Sequence, residues 1–455
     1  MKRILWLVLL SVSLPKFISA QQPSYRLGLR FNDKEYQKVD KRYYFVGKGL
    51  LPQAHSLKQY CPKPLSQLNL TTSAGWAVAY CAFTISRARQ HDWPKEEITR
   101  NASSPIYPYY KAKKEPTLGS LEQVSLVSVL EALKMYGTPD YIGLPSRSIS
   151  QVSDKEILEA SANRLSEYSR LYNIHDPKSI KIKAIKTSLS ENMAVVAAMH
   201  IPKSFFYARE FWAPREIFRK DLPGHAVTII GYDDNKYGGA FEIQNSWGID
   251  WGNEGFMWIK YDDFIEFTEY ALNLYLIPGA KSTELAGSIE LTLLDNKSII
   301  EVKAMSPGYY KIKESYPAGT EFMMKVNNYT PAFVYAFASD LNSEIYSFFP
   351  ASSVSAAINQ AASFFVPDQN TPLIIVETAG TDYLCVLFSK EAIDMDNFFN
   401  SLNQRTDDFK SAVAIALRKQ LIPSTDIHFG PTKASFKMPF SKQSVVAIII
   451  EHKRK

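Results

Sequence analysis

The chain has 455 residues, of which 46% are hydrophobic and 22% charged, and its formal net charge is +6. Such a composition excludes an intrinsically disordered chain, and the length suffices for two domains that each bury a core. A positive balance this small gives no reason to invoke nucleic acid as a partner, and the terminal His452-Lys453-Arg454-Lys455 reads as a solvated tail.

The first twenty residues stand apart. Lys2-Arg3, an apolar run from Ile4 to Leu14, and Ile18-Ser19-Ala20 before Gln21 form the pattern of a cleaved secretory signal over residues 1–20. Cleavage removes Lys2, Arg3 and Lys16 and no acid, which takes the formal charge from +6 to +3. Pro15 and Lys16 interrupt the apolar run, and no later stretch offers about 18 uninterrupted apolar residues. No transmembrane segment is therefore expected after cleavage. The expected destination is outside the cytoplasm, in a periplasm or at the cell surface. Residues 21–49 form a polar N-terminal extension with a possible strand at Arg42–Val46.

From Cys61 the chain reads Cys-Pro-Lys-Pro-Leu-Ser-Gln-Leu-Asn-Leu-Thr-Thr-Ser-Ala-Gly-Trp-Ala-Val-Ala-Tyr-Cys, and Ala74–Arg89 reads as a helix. The three cysteines, Cys61, Cys81 and Cys385, show no metal-ligand spacing with the seven histidines, so neither metal nor cofactor is expected. A secreted compartment permits a Cys61–Cys81 disulfide, with two buried thiols as the alternative. Cys385, between Leu384 and Val386, reads as a core residue.

Tyr107–Tyr110 and Phe205–Phe211 are aromatic stretches read as loops that pack between lobes. Ser120–Gln123 reads as a capping box for a helix ended by Gly137, and Ser153-Asp-Lys-Glu156 as another for a helix running to about Tyr172. Ala194–His200 is a buried strand. Three more strands are predicted at Ala226–Tyr232, Ala240–Gln244 and Phe256–Lys260, divided by Asp233-Asp234 and by a Gly-rich turn. That arrangement sets His225 and Asn245 at neighbouring strand ends.

Gly224-His225-Ala226, Asn245-Ser246-Trp247-Gly248 and Trp251-Gly252-Asn253-Glu254-Gly255 together resemble the His and Asn motifs of the papain-like cysteine peptidases, over roughly residues 50–275. In that family the His is the general base and the Asn orients it. The resemblance implies a two-lobe α+β domain, a helical lobe against a β-barrel-like lobe, across residues 50–278. It also implies an oxyanion-hole glutamine followed six residues later by a cysteine that opens a long helix. Gln67 fits the glutamine and Trp76-Ala77 fits a Trp-Ala pair within the helix. The residue at the nucleophile's position is Ser73.

A thiol at a helix N-terminus beside an imidazole becomes a thiolate, whereas a serine hydroxyl must lose its proton during attack to a base that is itself supported. Here the orienting residue is the neutral Asn245, and putting Asn for Asp in a serine triad lowers turnover by roughly 10⁴. Leu68 and Thr71 stand where the family carries glycines, so an altered oxyanion loop is expected. Cys81 lies eight residues along the same helix, about 80° round and about 12 Å up, and is not expected to replace Ser73. Some forty residues between the signal and Cys61 are too few for the long pro-region of many relatives, so no zymogen step is expected.

After a turn-rich linker at residues 279–288 the character changes. Short apolar or alternating runs at Ser288–Leu294, Glu321–Val326, Phe333–Ala338, Glu344–Phe349, Leu373–Glu377, Tyr383–Phe388, Ala434–Met438 and Val445–Glu451 predict an all-β sandwich over residues 289–455, with one or two helices between Lys390 and Gln420. The segment Lys325–Asp340, followed by Ile345–Pro350, resembles a bacterial domain of unknown function attached to secreted peptidase-like domains. It brings no catalytic residues. Together these readings give an inactive peptidase homologue that binds a protein or peptide partner in a bacterial envelope, with peptides expected in the groove shaped by Gln67, His225, Asn245 and Trp247. The alternatives are a working peptidase or Ser-dependent hydrolase using Ser73, His225, Asn245 and Gln67, and a structural subunit of an envelope assembly.

Overall fold

The structure, a computed structural model, describes residues 25–44, 50–113, 123–141, 152–276, 284–339, 345–375, 380–403 and 408–454. The secretory pattern at residues 1–20 and half of the linker, residues 279–283, lie outside them. The architecture has the expected α+β class, with two further all-β sheets towards the C-terminus.

The first sheet consists of β1 (Ala54–Ser56), β2 (Glu167–Arg170), β3 (Val195–His200), β4 (Phe211–Trp212), β5 (Gly224–Asp233), β6 (Ala240–Gln244), β7 (Phe256–Lys260) and β8 (Thr268–Tyr275), in the order β2-β8-β3-β5-β6-β7-β4 with β1 on β5. The three strands predicted around the His and Asn motifs thus form. β5 and β6 are antiparallel, with Thr228 opposite Gln244, so the start of β5 and the end of β6 lie at one edge of the sheet. That edge carries His225 and Asn245.

Against β5 lies one unbroken helical run, helical from Ser73 to Gly75, widened to a π-helix over Trp76–Phe83, and α-helical again over Thr84–Gln90. A π stretch adds a residue per turn and is common at functional sites. Here every residue from Ser73 to Ile85 is buried, and Thr228 Oγ1 on β5 donates to the Ala77 carbonyl at 2.9 Å. The helix is thereby locked to the His strand.

Four local expectations are corrected. The helix ended by Gly137 spans Leu126–Tyr136 and is capped by Ser125, whose side chain accepts from Ser128 N; Ser120–Glu122 lie outside the described residues. The Ser153–Glu156 capping box forms, but its helix stops at Ala162, and Glu167–Arg170 joins the sheet because its residues bury against β8 instead of continuing the helical face. Tyr107–Tyr110 is no loop: it belongs to a helix, Ile106–Lys111, whose residues from Ile106 to Tyr110 are all buried. Arg42–Tyr44 is not a strand, and Phe45–Val46 lie outside the described residues.

The second sheet is built from β10 (Val302–Ser306), β11 (Tyr309–Ile312), β13 (Ala332–Ser339), β14 (Tyr346–Phe349), β15 (Ala357–Ile358), β18 (Gly380–Ser389) and β21 (Val445–Arg454). The third comprises β9 (Leu285–Leu293), β12 (Glu321–Asn328), β16 (Ala362–Val366), β17 (Leu373–Ile374), β19 (His428–Phe429) and β20 (Ala434–Met438). Alternation sorts the second sheet's residues. Leu384, Val386 and Phe388 on β18 and Val446, Ile448 and Ile450 on β21 face the third sheet in one buried cluster. Cys385, Leu387 and Ile449 face the other way, onto the helices Met395–Asn403 and Phe409–Leu417 and onto Met193 and Tyr275 of the first sheet's side.

The N-terminal extension does structural work that its mixed composition did not suggest. Lys41 bridges Arg170 of β2 and Val354 near β14, with Lys41 N donating to the Ser353 carbonyl and Ser355 N to the Lys41 carbonyl. Arg42 pairs with Glu191, and the Tyr43 ring lies edge-on to Phe349 in the sandwich.

Candidate active site

Sequence order puts the four candidate residues far apart, and the fold brings them together at the edge of the first sheet. His225 opens β5 and Asn245 follows β6; His225 Nε2 lies 2.7 Å from Asn245 Oδ1. A carboxamide oxygen can only accept, so Nε2 carries the proton and Nδ1 holds the lone pair. Nδ1 is buried and finds no partner, as is true of Asn245 Nδ2. Burial lowers the His225 pKa to about 4, and the hydrogen bond donated to Asn245 offsets this only in part. The imidazole is therefore neutral at ordinary pH. Trp247 tilts against the ring at a centroid distance of 4.7 Å.

Ser73 is the first residue of its helix and is fully buried. Its Oγ accepts from the Ala226 backbone N–H at 3.4 Å and makes no hydrogen bond to His225 Nδ1. Gln67 is held on both sides: Ser246 Oγ donates to its Oε1 at 2.6 Å and its backbone N donates to the Ser246 carbonyl. Its Nε2, the group a glutamine offers to an oxyanion, donates instead to the carbonyls of Leu70 and Arg26, at 2.6 and 2.9 Å. Leu68 adopts φ +54°, the left-handed conformation that a glycine takes freely, with its side chain largely in solvent. The backbone at Leu68 is thus one that a glycine would adopt without strain.

The Arg26 carbonyl belongs to a segment whose role the sequence did not reveal. Tyr25 stacks on Trp247 at 4.5 Å, with an interplanar angle of 1°. Gly28 lies so close to the Thr71 backbone that a Cβ there would sit 2.1 Å from the Thr71 carbonyl oxygen. Leu29 N donates to the Gly224 carbonyl, just before His225, and Arg30 N to the Val124 carbonyl. Residues 25–30 thus run between the two sides of the cleft, against the backbone at Thr71 on one side and Gly224 on the other, next to the fully buried Ser73 and His225. The one local signal was Gly28, a residue without a side chain in a polar stretch. Behind Asn245, the void bounded by Trp76, Tyr80 and Ser246 measures about 10 Å³, at the threshold for a single water.

The cysteines are structural. Cys61 and Cys81 are both buried free thiols, so the expected disulfide is not formed. Cys81 Sγ donates to Gln244 Oε1 at 3.0 Å, which occupies it away from the Ser73 site. Burial, and then the Cys81 thiol beside it, push the Cys61 thiol well above its ordinary range. Cys385 lies in the core, as read from the sequence. Among the described residues no cluster of His, Cys, Asp and Glu could hold a metal. No described helix is long and apolar enough to cross a membrane.

Comparison with known proteins bears on this site. Residues 134–272, which include His225 and Asn245 but neither Gln67 nor Ser73, match the model of the papain family cysteine protease. Cysteine proteinase 3 of Entamoeba histolytica is 30% identical over 80 residues, 17% of this chain. The chain spans about a quarter of that relative, 26% of its length. Among solved structures, the cysteine protease xylellain from Xylella fastidiosa is similar at 20% identity, with 56% of this chain and 96% of the other covered and a TM-score of 0.43. Procathepsin L 3 of the Tenebrio molitor larval midgut is similar at 16% identity over 53% and 77% of the two chains, with a TM-score of 0.42.

Proposed function

We propose that this papain-like peptidase homologue is catalytically silent and acts outside the cytoplasm, in a bacterial envelope, as a binding protein whose cleft is closed by its own N-terminal segment. The observation that carries this reading is the engagement of the groups at the catalytic positions. Gln67 Nε2 is taken by the Arg26 carbonyl, and Ser73 Oγ is held by a backbone N–H with no hydrogen bond to His225. A hydroxyl has to pass its proton to a base as it attacks, and an imidazole with a pKa near 4, supported only by a neutral amide, is a weak acceptor of that proton.

The secretory pattern of residues 1–20 supports the location. Because residues 25–30 run between the two sides of the cleft, a peptide would have to displace them. We therefore assign partner binding to surfaces outside the groove, the sandwich included.

The rival reading, a Ser-dependent hydrolase, draws on one feature: the proton on His225 Nε2 leaves the Nδ1 lone pair on the side a nucleophile would use. The two readings separate in one measurement. The secreted protein should hydrolyse unstructured casein and fluorogenic peptides no faster than its Ser73→Ala variant, while affinity capture from the native envelope retains a defined protein partner for both. Turnover in the parent that Ser73→Ala abolishes would overturn the proposal.

A further inference from the structure

The inward face of the second sheet changes chemistry at one end. Along β21, Val446, Ile448 and Ile450 face the third sheet, and the next two inward positions are His452 and Arg454; along β18, Phe388, Val386 and Leu384 are followed by Asp382. His452 and Arg454 are therefore strand residues, 5% and 7% exposed, and not the solvated tail read from the sequence. Arg454 Nε lies 3.2 Å from Asp382 Oδ2, and His452 Nδ1 is 4.0 Å from the same oxygen. His452 Nε2 is buried and has no partner.

These three side chains line a cavity of about 520 Å³ between the two sheets. Its walls include Ile300, Ile312, Phe322, Phe348, Leu373 and Leu384. Voids larger than a water are few in protein interiors, and roughly 300–1,000 Å³ is the size of small-molecule sites. An ion pair that merely closed the end of a sandwich would sit on a filled core. Here it sits beside an open space walled by hydrocarbon. At the mouth, Tyr346 and Ile374 expose about half of their surface, 56% and 55%, extending the apolar wall outward.

We propose that this end of the sandwich binds a long-chain carboxylate of the fatty-acid class, its hydrocarbon between the sheets and its carboxylate on His452 Nε2 beside Arg454. Three features select this chemistry. The lining is chiefly aliphatic and aromatic side chain, which suits a hydrocarbon. Its volume, about 520 Å³, is that of a small-molecule site and far exceeds what a single ion or water needs. The unpartnered imidazole nitrogen, with a guanidinium beside it, marks one end for a hydrogen-bonding anionic head.

The test uses the mature full chain. Titration with the fluorescent fatty acid cis-parinaric acid should saturate at one site per chain. Palmitic acid should displace it at least 10-fold more effectively than 1-hexadecanol, which lacks the charge. His452→Leu should weaken palmitate at least 10-fold while leaving hexadecanol unchanged. Ala338→Trp, which fills the cavity from a half-buried wall position, should abolish both with the melting temperature retained. If Ala338→Trp does not fold, the His452 ring signals, assigned by their loss in His452→Leu, must shift when palmitate is added. Absence of saturable binding, equal competition by acid and alcohol, unshifted His452 signals, or wild-type binding in either folded variant would overturn the proposal.

Discussion

The imidazole of His225 illustrates how burial can decide what one residue does. Its folded pKa, about 4, lies below the ordinary 6.5 because no charged group compensates for lost solvent. Between these values the unfolded chain binds a proton that the folded one does not, so stability rises with pH across that window. Below about pH 4 both states carry the proton and the whole contribution has been lost. The size at stake, for a fully buried group, is about 3 kcal/mol. Chemical denaturation of wild type and His225→Gln at pH values from 4 to 7 should show a fall towards acid in the wild type that flattens in the variant by about that amount. Equal slopes would mean that His225 is not the group responsible. Leu68 adds a second lesson at this scale, since its φ of +54° places a residue with a side chain in the left-handed conformation that glycine takes most freely.

At the scale of elements, the segment from Tyr25 to Phe31 is held by contacts that are few and specific. Tyr25 stacks on Trp247, Arg26 and Leu29 supply backbone hydrogen bonds, and Phe31 stacks on His200 at 3.9 Å. The weak point is Gly28, where any side chain meets the Thr71 backbone. Gly28→Val should therefore lift the segment from the cleft while leaving the sheet and the Ser73 helix folded. With Ser73→Cys as a reporter, the buried thiol should react slowly with iodoacetamide in the otherwise native chain and at least 10-fold faster once Gly28→Val is added, a ratio equivalent to about 1.4 kcal/mol of opening. Equal labelling rates with retained thermal stability would show that residues 25–30 do not control access.

Across the whole molecule, the first sheet's side and the sandwich share one buried cluster, in which Met193 and Tyr275 join Phe333, Tyr335 and Phe337. The strap at Lys41–Tyr43 crosses the same seam with hydrogen bonds to both sides and a buried Arg42–Glu191 ion pair. Coupling of this kind should make the two parts unfold together. All seven tryptophans precede residue 259, so their fluorescence follows only the first part, whereas far-ultraviolet circular dichroism follows both. The two denaturant transitions should coincide in the wild type and separate in Tyr43→Ala, which removes the ring from Phe349 and Phe364. Separate transitions in the wild type would reject the coupling.

The sequence by itself determined the strands around His225 and Asn245, the helix that follows Ser73, helices between Lys390 and Gln420 and most of the sandwich strands, because those depend on local periodicity and turn residues. Gln67, Ser73, His225 and Asn245 were singled out by the resemblance of the short stretches around them to papain-like motifs. What only the tertiary structure decided is what meets what over long separations. Arg26 reaching Gln67, Gly28 fitting against Thr71, Cys61 and Cys81 remaining thiols, and His452 and Arg454 turning inward beside Asp382 leave no periodic trace, since each depends on where distant backbone happens to pass. A polar N-terminal stretch and a basic C-terminal one leave no buried pattern in one dimension, yet Gly28, Leu29, His452 and Arg454 are buried here because the cleft and the open end of the sandwich supply the partners that water would otherwise provide.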